Sequence, residues 1–215
     1  MSASRRAAAP GRTEILHAAT REFADHGYDG ATTAGIARRA GVTQPLVHHH
    51  FGSKRGLWDA VVADLFSDLE AEFERTVAGL GDAPREQRLR ALIRAVVRFS
   101  GRRPELSRLI RTESSAGGEA FDALYDRWLD RWVHRFAREV GAAVKEGVAR
   151  PLDERLAYFA MVGAATALFA EPQAARRAFR LDVSRKATIE RYADVVVDLL
   201  ADGLLARPGL TRGRP

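Results

Sequence analysis

The chain has 215 residues, 46% hydrophobic and 29% charged, which excludes a disordered polymer and supplies enough apolar mass for a sizeable core. It has no cysteine, which excludes a disulfide framework, a thiolate zinc site and a cysteine nucleophile together. The formal net charge is +6, and residues 1–56 hold eight Lys/Arg against four Asp/Glu, a basic quarter that suits a polyanionic partner or a solubilising tail equally.

The opening MSASRRAAAPGRTE is basic without an apolar core, so no secretory signal is expected, and residues 1–11 are expected to form a flexible basic arm. Nearly every later segment has helical period, and nothing alternates like a strand. A first helix is expected over 12–26, with Ile15, Ala19 and Phe23 on one face and a stop at Gly27. Short helices follow over 33–40 and from Thr43 to about 51. A long helix is expected over 53–78, where Leu57, Val61, Leu65, Leu69 and Phe73 form a four-residue apolar ladder. Further helices are expected over 84–99, 104–113, 119–146, 153–170, 172–179 and 184–206. The segment 119–146 carries Phe121, Tyr125, Trp128, Trp132 and Phe136 at spacings of three or four. The most apolar run, 156–170, falls short of the ~20 residues that a membrane span needs. The expected location is therefore the cytoplasm, without membrane contact, and the tail 207–215 is expected to be disordered.

Residues 33–51 have what a helix-turn-helix requires. Ala37 is small enough for two helices to cross closely. Gly41 stands four residues later, where the turn needs a positive φ. Thr43 is placed to cap the second helix, and Pro45 falls in the first turn, where a missing N–H costs little. With Val47 facing inward, Gln44, Pro45, His48 and His49 project outward, as the N-terminal residues of a recognition helix do in a major groove. A glutamine amide matches the edge of adenine, and proline offers an apolar contact. Ser53 is a further cap, yet Lys54 and Arg55 occupy the positive end of the helix it starts. A bound phosphate removes that conflict. Thr32 and Thr33 are similarly placed to cap the preceding helix and meet another phosphate. His48, His49 and His50 are not expected to bind a metal, because consecutive helical residues point about 100° apart.

The run TTAGIARRAGVTQPLVHHHFGSKRGLW resembles the N-terminal signature of TetR-type transcriptional regulators, densely over 15–61. The resemblance implies an all-α fold: a three-helix DNA-binding domain at 12–52, then a larger helical ligand-binding and dimerisation domain at 53–206. It implies phosphate or base contacts at Thr33, Thr43, Gln44, Pro45, His48, His49 and Lys54. The family commonly carries tyrosine where this chain has His48. It also implies a homodimeric repressor of a near-palindromic double-stranded operator, released by a small-molecule effector that shifts the 53–78 helix. In that reading 153–170 and 184–206 meet their copies, with Ile189, Tyr192, Val196 and Leu199 on one side. The other readings are a ligand-independent DNA-binding regulator and a helical protein-binding adaptor.

Two readings of the aromatic stripe at 119–146 stand: ordinary core, or the lining of an effector cavity. Phe66, Phe99, Arg111, Trp128 and Phe169 are the candidate wall residues, with Arg111 facing an acidic ligand or pairing with Glu113 or another carboxylate. No nucleophile elbow, zinc-protease or phosphate-loop signature is present, so neither an enzyme nor a cofactor is expected.

Overall fold

The structure, a computed structural model, describes residues 11–204. The expected arm, apart from Gly11, and the expected tail lie outside them. Among the described residues the chain is helical without a β-strand. It forms two compact units: residues up to Asp68 with Glu105–Leu124, and Leu69–Pro104 with the residues from Tyr125 onward. The first unit thus extends beyond the 12–52 segment marked out in the sequence.

In the first unit, α1 (Arg12–Gly30) packs against α2 (Thr33–Ala40), and α2 against α3 (Gln44–Phe51). Ile15, Ala19 and Phe23 are fully buried, as their spacing requires. A small residue is also required where α2 meets α1: a Cβ on Gly35 would stand 2.6 Å from the buried Glu22 carboxylate. The ladder of α4 (Lys54–Ala78) buries Leu57, Val61, Leu65 and Phe73 and half-buries Leu69.

The expected stop at Gly27 is a kink instead. Gly27 has φ 70° and ψ −179°, after which one more turn runs to Gly30. Two contacts hold that turn. The Tyr28 ring meets Trp58 edge-on at 5.4 Å, and the Tyr28 N–H donates to the Glu113 carboxylate at 2.6 Å. Glu113 lies on α6 (Pro104–Ala116), whose Arg108 also reaches Asp25 at 3.3 Å. Glu113 is only 3% exposed, and burial pushes its carboxyl above the ordinary value, against the Tyr28 hydrogen bond that lowers it. Arg111 does not pair with it.

The second unit is built on α5 (Arg85–Arg102). It packs against α9 (Glu154–Ala170) and α11 (Lys186–Leu204), and α8 (Asp130–Lys145) joins α9. Ile93, Val97, Met161, Phe169, Ile189 and Val196 share one core cluster. The helices approach closely at Gly101, where a Cβ would lie 2.8 Å from Ile189 and 2.9 Å from Phe169. Ion pairs fasten the exterior: Arg98 binds both carboxylate oxygens of Glu190, with Nη2 donating to Oε2 at 2.6 Å and Nε to Oε1 at 3.0 Å. The short α10 (Pro172–Phe179) covers part of α9.

Two expectations for this region are corrected. The single helix at 119–146 is α7 (Glu119–Leu124), a π-turn at Tyr125–Leu129 and then α8. The π-turn inserts a residue into the helical ladder, and all five aromatics of the stripe are half-buried. Trp132 meets Phe73 at 4.7 Å and Phe136 meets Tyr158 at 5.5 Å. The outward side of α11 also differs. Ile189 and Val196 are 6% and 3% exposed because they pack into the core, and Tyr192 donates its hydroxyl to the Ala164 carbonyl. Leu199 does face outward at 71%, with Val195 at 52%; on α9 the outward residues are Leu156 at 69% and Phe159 at 72%.

Candidate nucleic-acid interface

The α2–turn–α3 unit is organised by its caps. Thr32 caps α2, its hydroxyl accepting from Gly35 N–H at 2.9 Å. Gly41 takes the left-handed conformation at φ 69° and ψ 31°, and Val42 N–H closes the turn onto the Ala37 carbonyl at 2.9 Å. Thr43 stands at the N-cap of α3 with extended backbone, but its hydroxyl caps nothing. The chemistry explains this correction. Pro45 removes one of the amides that a capping hydroxyl would bind, and Leu46 N–H goes to the Thr43 carbonyl at 3.1 Å.

Val47 is 1% exposed and pins α3 to the head, while Gln44, Pro45, His48 and His49 are exposed. His50 is half-buried against Phe51. Two outward residues already have partners. Gln44 Nε2 donates to the Thr33 hydroxyl at 3.0 Å, and His48 Nδ1 lies 3.2 Å from the Gly52 carbonyl. Among the described residues, no group of three His, Cys, Asp or Glu is arranged to hold a metal ion.

Ser53 caps α4 by accepting from Gly56 N–H at 3.0 Å. Lys54, at the positive end of that helix, has an intramolecular answer to its position. Its Nζ donates to the Asp29 carbonyl at 3.2 Å and lies 4.8 Å from the centre of the Tyr28 ring. The short turn after Gly27 therefore carries the lysine as well. Sequence reasoning missed Tyr28 and Glu113. The only available signal was a polar residue, Glu113, on the inward face of an amphipathic helix.

The five candidate effector contacts fall in both units. Phe66 and Arg111 belong to the first unit, and Phe99, Trp128 and Phe169 to the second. Phe66, Phe99 and Phe169 are buried core residues, with Phe169 edge-on to Tyr192 at 5.6 Å. Trp128 is half-buried beneath the guanidinium groups of Arg127 and Arg131. Arg111 is exposed, so it does not line the interior. A cavity of about 320 Å³ in the second unit is lined by Glu72, Arg75, Arg94 and Arg98 among others, and by none of the five.

Comparison with known proteins places this geometry. A family described as bacterial regulatory proteins, tetR family, matches residues 15–61, and a tetracyclin repressor-like C-terminal domain matches residues 82–210. The HTH-type transcriptional regulator BetI of Burkholderia mallei (strain NCTC 10229) is 38% identical over 84 residues, 39% of this chain and 43% of BetI. The chain thus spans about two fifths of the length of that relative. Among solved structures, the ketosteroid transcriptional regulator KstR2 of Mycobacterium tuberculosis superposes with a TM-score of 0.72 at 20% identity, over 96% of this chain and 98% of KstR2. The transcriptional regulator FadR of Bacillus subtilis, in complex with stearoyl-CoA, superposes with a TM-score of 0.61 at 17% identity, over 89% and 98%. These two show the fold.

Proposed function

Because the chain belongs to the TetR family of bacterial regulatory proteins, we propose that it is a DNA-binding transcriptional regulator, acting as a homodimeric repressor of a near-palindromic operator and released by a small molecule. The observation that carries this reading is the N-terminal face of α3, where Gln44, Pro45, His48 and His49 stand exposed over a buried Val47. A helix held from beneath by one apolar anchor presents those side chains to a major groove. Gln44 reads a base edge and Pro45 makes an apolar contact. Thr33, Thr43, His48, His49 and Lys54 set the register on the phosphates. The unengaged Thr43 hydroxyl suits that role, since no cap competes for it.

Division of labour follows the sequence: residues 12–52 read DNA, and residues 53–206 bind the effector and the second copy. The outward apolar residues of α9 and α11 support dimerisation, and a two-fold dimer matches two half-sites. The effector moves α4 and must bind the non-DNA-binding state more tightly, or it shifts nothing.

The test is titration of the protein against the DNA upstream of its own gene at several salt concentrations. Specific binding is expected to weaken steeply with salt through counterion release. Lys54→Ala is expected to weaken all sequences about equally and reduce the salt slope by about one. Gln44→Ala is expected to cost on the order of 1–3 kcal/mol at the correct site and relax preference at one base pair. Binding that ignores both salt and sequence would remove the reading.

A further inference from the structure

Gln44 and Thr33 come from opposite sides of the turn, at the first residues of α3 and α2, and share a hydrogen bond of 3.0 Å. Thr33 is free to make it, because Thr32 takes the capping duty at the start of α2. The bond engages one edge of the carboxamide. A glutamine amide has two N–H donors and one acceptor oxygen. With one donor held by Thr33, the second donor and Oε1 remain on an exposed side chain. Paired recognition of a purine edge needs one donor and one acceptor presented together. A long side chain that must be ordered at binding loses affinity, whereas one already ordered does not.

We propose that Thr33 is a positioning residue for base recognition: its hydroxyl holds the Gln44 carboxamide in one orientation and thereby sets the base preference that Gln44 expresses. This rests on Gln44 being the base reader. It differs from a phosphate contact by the same hydroxyl in one measurable respect. A phosphate contact strengthens every sequence alike, whereas a positioned reader strengthens one base over the others.

The experiment compares the full-length wild type with Thr33→Val, Thr33→Ser, Gln44→Ala and the Thr33→Val/Gln44→Ala double variant. Binding sites are selected from a random double-stranded library, then affinities are measured for all four bases at each selected position and across salt. Thr33→Val keeps the shape and removes the hydroxyl. It is expected to flatten preference at the same base pair as Gln44→Ala, roughly fivefold or more. Thr33→Ser is expected to retain the preference, and the double variant to be no flatter than Gln44→Ala alone. Should valine disturb the start of α2, Thr33→Ala against Thr33→Ser makes the same comparison. A Thr33→Val protein that keeps its base preference, whether or not it weakens on all sequences alike, overturns the positioning role. If Gln44→Ala leaves the preference unchanged, Gln44 is not the reader and both proposals fall.

Discussion

Gly27→Ala is expected to destabilise the first unit by roughly 3 kcal/mol or more, with DNA binding lost in proportion to the unfolded fraction. Two costs combine. At φ 70° and ψ −179° Gly27 occupies a region that is essentially reserved for glycine, at about 1–3 kcal/mol for another residue. A Cβ there would also stand 2.8 Å from Glu113 Oε1 and 3.2 Å from Thr112 Cγ2, an overpacking cost of about 1–3 kcal/mol. Against a typical total stability of about 5–15 kcal/mol, that is a large fraction. The measurement is thermal or urea unfolding followed through the Trp58 signal, since Trp58 packs on Tyr28 and Phe23. A wild-type midpoint would contradict the strained kink.

The partner variant separates the two costs. Glu113→Ala removes the crowding atom but leaves the Tyr28 N–H without its acceptor, at about 1–3 kcal/mol if no water replaces it. The double variant Gly27→Ala/Glu113→Ala is then expected to lose less than the sum, because the second change removes the clash of the first. A pH dependence follows from the same carboxyl. Burial raises its folded value above the ordinary 4.5, so between the two values the folded state binds more protons than the unfolded one. Stability therefore falls as pH rises through that window, which opens at about 4.5 and extends upward. Glu113→Gln keeps an acceptor for Tyr28 and is expected to abolish this component of the slope. A slope of the same size in Glu113→Gln would assign it to other groups.

What the sequence revealed and what it concealed divide along physical lines. The caps and turns of the head were legible because they are local: Gly41, Pro45 and the spacing of Val47 specify the turn within ten residues. In the sequence the kink at Gly27 looks like a stop, because glycine signals both. Only a partner 85 residues away, the Glu113 carboxylate on Tyr28 N–H, turns the stop into a kink. Thr43 was legible as a position but not as a bond, since the hydroxyl's use depends on which amides Pro45 leaves available. The break in the helix at 119–146 was hidden for a different reason. Periodicity assumes an unbroken helix, and the π-turn at Tyr125–Leu129 shifts the phase midway. The outward face of α11 differs at Ile189 and Val196, because the apolar run from Val195 to Val197 and Leu199 to Leu200 covers more than one face and does not reveal which side meets its own chain.

That last ambiguity leads to the other large effect, which concerns the proposed dimer. The residues left outward are apolar or small and recur at helical spacing: Leu156, Phe159, Ala160, Gly163 and Ala167 on α9, with Val195 and Leu199 on α11. A Cβ on Gly163 would meet nothing within 4 Å, so small size at that position is not required by the chain's own packing. It suits a surface on which another helix crosses closely. In a two-fold interface each residue acts twice, so Phe159→Glu would place two carboxylates in an apolar contact. Within one copy the same change is mild, because Phe159 is 72% exposed. Phe159→Glu is therefore expected to leave the melting curve of the monomeric fold nearly unchanged while sedimentation shows dissociation. Affinity for a two-half-site operator is expected to fall by about 10²–10⁴, the loss of the second, intramolecular binding event, and affinity for a single half-site to stay the same. Gly163→Leu is expected to act in the same direction by bulk instead of charge. If both variants remained dimers with full operator affinity, the second copy would have to be held by another surface, and the apolar faces of α9 and α11 would lose the role assigned to them.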